Sequence, residues 1–170
     1  RRVKEHKFQI GVQVLSSSID ADQSGGAYAD LAQAALASLL SRVREAFALS
    51  ERHGVIEGGV IAVLAMGKMG SREMTGESDL DLIFVYDYPD EDSVSDGPRP
   101  LSAQQYFTRL CQRLINAMTV PTAEGKLYEV DMRLRPSGNS GPVATRFDGF
   151  GDYQREQAWT WEHMALTRAR

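Results

Sequence analysis

Leu31, Ala35, Leu39, Val43 and Phe47 fall every four residues, a spacing that lines one face of an α-helix. The polar break Ser16–Ser18 and Asp20 to Gly26 precedes this helix, and Gly54 marks its stop. A second amphipathic stripe, Tyr106, Phe107, Leu110, Cys111, Leu114, Ile115 and Met118, predicts another helix with Ser102 as its N-cap. Between the helices lie two apolar runs, 59–66 and 80–86, of strand length. Residues 1–15 support two assignments: Phe8, Ile10, Val12 and Val14 alternate like a strand, while the charged run from Arg1 to Lys7 suits a helix.

Residues 127–136 alternate cleanly, with Tyr128, Val130, Met132 and Leu134 on one face and Glu129, Asp131, Arg133 and Arg135 on the other. Asp87 to Pro98 is acidic, proline-bounded and aperiodic, and reads as a solvated loop. After a glycine-rich loop at Ser137 to Gly141, the segment from Phe147 to Arg170 reads as helical. Trp159 and Trp161 are two apart and cannot share one helical stripe; core packing is the expected role of both. The pattern predicts an α+β chain, a small mixed sheet flanked by helices. It divides into an N-terminal helical segment (1–55), a core (56–146) and a C-terminal helix (147–170) leading into further sequence.

Composition narrows the classes. A chain of 170 residues, 42% hydrophobic, carries one substantial core. Its net charge of −4 argues against a nucleic-acid partner held by a broad basic surface. No apolar run approaches the length of a membrane span, and Arg1-Arg2-Val3-Lys4 does not open a signal peptide, so a cytoplasmic protein is expected. The single cysteine, Cys111, excludes an internal disulfide and belongs to the apolar stripe, where it reads as a small buried hydrophobe. His6, His53 and His163 have no metal-ligand spacing. The chain begins without Met and ends at Arg168-Ala169-Arg170 without a stop signal, as a piece of a longer protein would.

The chemistry concentrates where the first strand meets Gly67-Lys68-Met69-Gly70-Ser71 and where Ser78-Asp79-Leu80-Asp81 opens the second. Residues two apart on a strand share a face, so Asp79 and Asp81 project together while Leu80 and Leu82 point to a core. Such a pair suits Mg²⁺, which takes carboxylate and phosphate oxygens together. Gly67 and Gly70 let backbone N–H groups approach phosphate, and Ser71 adds a hydroxyl donor. The G-x-x-x-x-G-K-[ST] phosphate loop is excluded, because Ala62 and Met66 stand where it requires glycine. Alone, an Asp-x-Asp at a strand end is more often a solvated turn; the preceding turn and following strand favour metal-dependent nucleotidyl transfer over an Asp-x-Asp glycosyltransferase. The charged face of 127–136 is either a cross-strand ladder on an edge strand or, with Asp131 as a third carboxylate and the arginines as phosphate clamps, part of the same site.

The runs from Met66 to Met74, from Ser78 to Phe84 and from Tyr128 to Gly138, with Trp159-Thr160-Trp161-Glu162-His163, closely resemble the glutamine synthetase adenylyltransferase family. The resemblance extends over nearly the whole chain. It implies a nucleotidyltransferase domain of the DNA polymerase β superfamily, in a bifunctional enzyme whose two related halves attach AMP to a tyrosine of glutamine synthetase and remove it by phosphorolysis. Tyr128-Glu129-Val130-Asp131, the Arg-Pro-Ser-Gly of 135–138 and Ala158 to His163 look like the C-terminal, adenylylating half. The implied site has Asp79, Asp81 and Asp131 as metal-binding and catalytic residues, with Gly70, Ser71, Lys68, Ser78, Arg133 and Arg135 on the nucleotide. The implied partners are ATP, Mg²⁺, glutamine synthetase and, for the full-length enzyme, a PII signalling protein. The alternatives are the adenylyl-removing half and a non-catalytic module that binds glutamine synthetase or PII.

Overall fold

In the computed structural model, which describes residues 1–170, one strand organises the sheet. β2 (Leu80–Asp87) pairs antiparallel with β1 (Val60–Ala65) along one edge, Val60 opposite Asp87 and Ala65 opposite Leu82. Its other edge takes two short parallel partners end to end, β3 (Val130–Asp131) beside Leu80 and Asp81, and β4 (Ala144–Arg146) beside Phe84 to Tyr86. The sheet is mixed and small, as the pattern predicted.

Leu82 to Tyr86 are all buried because β2 is covered on both faces, which is why it reads as an unbroken apolar run. On one face Leu80, Leu82, Phe84 and Tyr86 join α2 (Ala21–Leu49) and α4 (Ala103–Thr119) in the main core. Phe107 of α4 stacks on Tyr86 with ring centroids 4.8 Å apart. On the other face Ile83 and Val85 pack with Met66 and with Phe150, Ala165 and Leu166 of α5 (Phe147–Glu156) and α6 (Thr160–Leu166).

Residues Arg2–Leu15 form a helix, α1, which resolves the N-terminal ambiguity. No sheet edge receives the alternating residues: Phe8 is 73% exposed, and Ile10 alone is buried. The polar break before α2 is shorter than its composition suggested. Asp20 and Gln23 close a capping box that starts the helix at Ala21. Gly25 then lies inside the helix, where a Cβ would come within 2.8 Å of the Arg72 carbonyl. The helix ends at Leu49, before Gly54 at φ +72°. Ser102 holds the N-cap position of α4, but its hydroxyl makes no capping bond.

The long strand expected at 127–136 is reduced to two residues. Beyond Asp131 the chain turns, and the Arg135 guanidinium gathers the carbonyls of Met132, Asn139 and Gly141 around itself. A short-range hydrogen-bonded loop thus produces the same alternation of charge as a strand. The C-terminal segment is two helices rather than one. Glu162, buried, accepts from the Tyr153 hydroxyl and the Trp159 backbone N–H, which fixes the break between α5 and α6. Trp159 and Trp161 are 71% and 53% exposed, so neither packs in the core. Past α6 the chain returns to the sheet, where Arg170 and Ala65 exchange both backbone hydrogen bonds. The acidic loop is a loop, fastened at one side by Arg146, which pairs with Asp87 and Glu91. Cys111 is fully buried on α4, and burial pushes its thiol up to about 12. No helix is long and apolar enough to cross a membrane.

Because β2 supports both layers, Leu82→Ala should cost about 2–5 kcal/mol of unfolding free energy, whereas Val60→Ala on the exposed sheet rim should cost less than about 1 kcal/mol. Urea unfolding followed by circular dichroism measures both, and equal losses would contradict this account of the core.

Candidate active site

Asp81 and Asp131 are register partners across the parallel β2–β3 pair, and Asp79 precedes Asp81 by two residues. Strand alternation puts them on one face, away from Leu80 and Leu82. Carboxylate oxygens of all three residues come within 4.8 Å of one another. Leu80 and Leu82 are fully buried, so the dyad stands on the best-anchored part of the sheet.

The turn after β1 is shaped to this cluster. Met66 is buried at the end of the strand, Gly67 takes φ +51°, and Gly67–Ser71 form one short helical turn, α3. A Cβ on Gly67 would sit 2.1 Å from Asp81 Oδ2, so glycine is required where the carboxylate meets the turn. Gly70 is required for a different reason. Its N–H donates to the Met66 carbonyl, and a Cβ there would lie 2.0 Å from the Arg168 carbonyl. The backbone N–H groups without intrahelical acceptors are those of the first positions, Gly67 to Met69.

Partial burial first, and then the charges of Asp79 and Asp131, raise the Asp81 carboxyl above its ordinary range, with Arg133 and Lys68 opposing the shift. Asp131 is shifted the other way. Its Oδ2 accepts from Arg133 Nε at 2.7 Å and its Oδ1 from the Arg133 backbone N–H at 2.8 Å, and that side-chain bond is the chief cause that holds its carboxyl below the usual range. Three convergent carboxylates, one of them resisting ionisation through partial burial first and the charges of the other two second, form a donor set that a hard divalent cation fits.

The sequence profile of the family described as glutamate-ammonia ligase adenylyltransferase matches residues 1–170. The chain belongs to this family. Proteins named bifunctional glutamine synthetase adenylyltransferase/adenylyl-removing enzyme are similar over 98% of the chain. Those of Mesorhizobium japonicum and Brucella suis are 56% and 55% identical over 166 residues, and that of Xanthobacter autotrophicus 57% over 168. The chain spans 17% of the length of each. The sheet flanked by helices is the nucleotidyltransferase fold of the family.

Within this adenylyltransferase-family fold the remaining candidate residues separate by what they touch. Lys68 is exposed and close enough for its charge to act on Asp81. Arg133 lies against Asp131 with its side chain 74% exposed. Arg135 is committed to three loop carbonyls. The Ser71 hydroxyl donates to the Gly67 carbonyl at 3.1 Å and to Glu73 at 2.8 Å. Ser78 is buried, and its hydroxyl accepts from the Thr75 N–H at 2.9 Å, closing the turn before Asp79. Sequence reasoning did not single out the packing of Arg168 on Gly70, since nothing in the local pattern of either segment signals the other.

The opposite shifts of Asp81 and Asp131 give opposite pH signatures in the metal-free protein. The fold makes Asp81 harder to ionise than in the unfolded chain, so its ionisation opposes folding at neutral pH. Asp81→Asn should raise the melting temperature there, with the gain lost as pH falls from the raised folded value through the ordinary carboxylate range. Asp131→Asn should lower the melting temperature at neutral pH, with the deficit closing as pH falls through the depressed folded value of Asp131. Melts in EDTA from acid to neutral pH test both signs, and the same sign for both would refute the assignment.

Proposed function

We propose that this chain is the adenylylating nucleotidyltransferase unit of a longer enzyme, transferring AMP from ATP to a tyrosine hydroxyl of glutamine synthetase with Mg²⁺. The observation that carries the reading is the meeting of Asp79, Asp81 and Asp131 within 4.8 Å beside the Gly67 turn. The adenylylating direction draws on the resemblance of 128–131, 135–138 and 158–163 to that half of the family. Regulation by a PII protein belongs, on this reading, to the full-length enzyme.

The three carboxylates would hold the metal, which when bound supplies charge neutralisation and Lewis-acid polarisation at the α-phosphate. On this reading the N–H groups of Gly67 to Met69, which have no intrahelical acceptors, and Lys68, whose charge reaches Asp81, would receive the triphosphate. A tyrosine hydroxyl of pKa about 10 stays protonated at neutral pH and must lose its proton as it attacks phosphorus. Pyrophosphate is the leaving group. While Arg133 holds both Asp131 oxygens, that carboxylate is a weak proton acceptor and a half-occupied ligand. Turning the exposed guanidinium onto the triphosphate would free Asp131 Oδ2 and clamp the nucleotide in one movement.

ATP labelled at the α-phosphate, with unmodified glutamine synthetase, should leave label on the protein. Asp79→Asn with Asp81→Asn should lower that transfer by at least about 10³-fold, and Asp131→Asn by about 10²-fold or more. Release of ADP from adenylylated synthetase and orthophosphate, without labelling in the forward assay, would assign the removing reaction instead. Nucleotide binding without either reaction would leave a binding module. Arg133→Gln should bind Mn²⁺ alone a few-fold more tightly and ATP a few-fold more weakly; unchanged Mn²⁺ binding by paramagnetic resonance would rule out the exchange of partners.

A further inference from the structure

We propose that the cleft between the end of α2 and the outer face of α4 is a binding site for a small oxyanion bearing carboxylate or phosphate oxygens. The cleft encloses about 420 Å³ and shares no lining residue with the carboxylate cluster. Its only apolar wall is Phe47; the rest is charged or amide.

Arg99, from the loop before α4, and Arg109 and Arg113, one turn apart on the helix, bring three guanidiniums to one cavity in a chain of net charge −4. Glu51 is the only carboxylate in the lining, and it pairs with Arg113 at 3.0 Å. Arg99 and Arg109 have no carboxylate within 4.0 Å, so the cleft holds uncompensated positive charge. Planar guanidinium forks match the paired oxygens of carboxylate and phosphate. Gln112 and Asn116, also on α4, add amide donors.

The floor of the cleft is a built element. His53 is 4% exposed, packed against Phe47 with ring centroids 4.6 Å apart. Its Nδ1 lies 2.7 Å from the Arg99 carbonyl, which can only accept, so Nδ1 carries a proton. That bond ties the ring to the segment that delivers Arg99. Nε2 is 3.9 Å from Glu51, beyond hydrogen-bond reach, and makes no hydrogen bond while keeping its access to the cavity. A buried polar side chain thus presents an unused ring nitrogen among three arginines. The volume exceeds what one bare phosphate fills and suits a small molecule carrying such a group.

The chain has three histidines, so their ring signals are separable by NMR, with His53→Gln identifying the one in the cleft. At fixed pH, inorganic phosphate and succinate are titrated separately, with sodium chloride at matched ionic strength as the control. Saturable displacement of the His53 signals by either anion, with His6 and His163 unmoved, is expected; the anion that saturates at lower concentration identifies the source chemistry. Arg99→Ala with Arg109→Ala, both on exposed side chains, should raise the half-saturating concentration by roughly tenfold or more while leaving the circular dichroism and melting temperature unchanged. No saturable His53 displacement beyond the chloride control, or equal saturation in the double variant, overturns the proposal. The readout involves no AMP transfer, so the result stands or falls apart from the catalytic reading.

Discussion

Three carboxylates within 4.8 Å repel one another, and the burial of β2 on both faces holds them together. Relaxation by sliding or tilting the strand would pull Leu80, Leu82 and Phe84 from one layer and Ile83 and Val85 from the other. Each displaced side chain is worth roughly 1.5–3 kcal/mol of burial, more than mutual repulsion across a half-exposed cleft provides. The repulsion stays in the site, where it adds to burial in raising the Asp81 carboxyl, and a cation would relieve it.

The same constraint explains which parts of the chain were legible. α2, α4 and the two apolar runs announce themselves because one periodicity governs each. The convergence of Asp79 and Asp81 follows from period two alone; the charged alternation of 127–136 leaves Asp131 open between an edge-strand ladder and the site, and the family resemblance places it with the other two. That strand then proved to be two residues long, because Arg135 binds carbonyls up to six residues on and wraps the chain into a loop. Local alternation carries no record of such wrapping. β4 has only three residues and exists because β2 offers an unpaired edge beyond β3, a property of the partner rather than of Ala144–Arg146. Trp159 and Trp161 looked like core by residue type, and their exposure is set by Glu162, which orients the turn they occupy.

The two glycines of the motif illustrate how one residue type serves separate ends. Gly67 yields space to a carboxylate, and Gly70 yields space to a backbone carbonyl from the far end of the chain. A sequence reading assigns both to the nucleotide because they are neighbours. In three dimensions Gly67 lies against the Asp81 carboxylate, and Gly70 also joins the turn to the segment that meets β1 through Arg170 and Ala65.

Cys111 has a practical meaning beyond packing. It is the chain's single thiol, fully buried on α4 beneath the sheet and resistant to ionisation. Since the thiolate is the reactive form, Cys111 is shielded from alkylating reagents while the fold stays closed. A cysteine placed anywhere on the surface is therefore the sole point of attachment for a fluorophore or spin label, with no native thiol to remove. The slow modification of Cys111 itself becomes a clock for how often the layer between α4 and β2 opens.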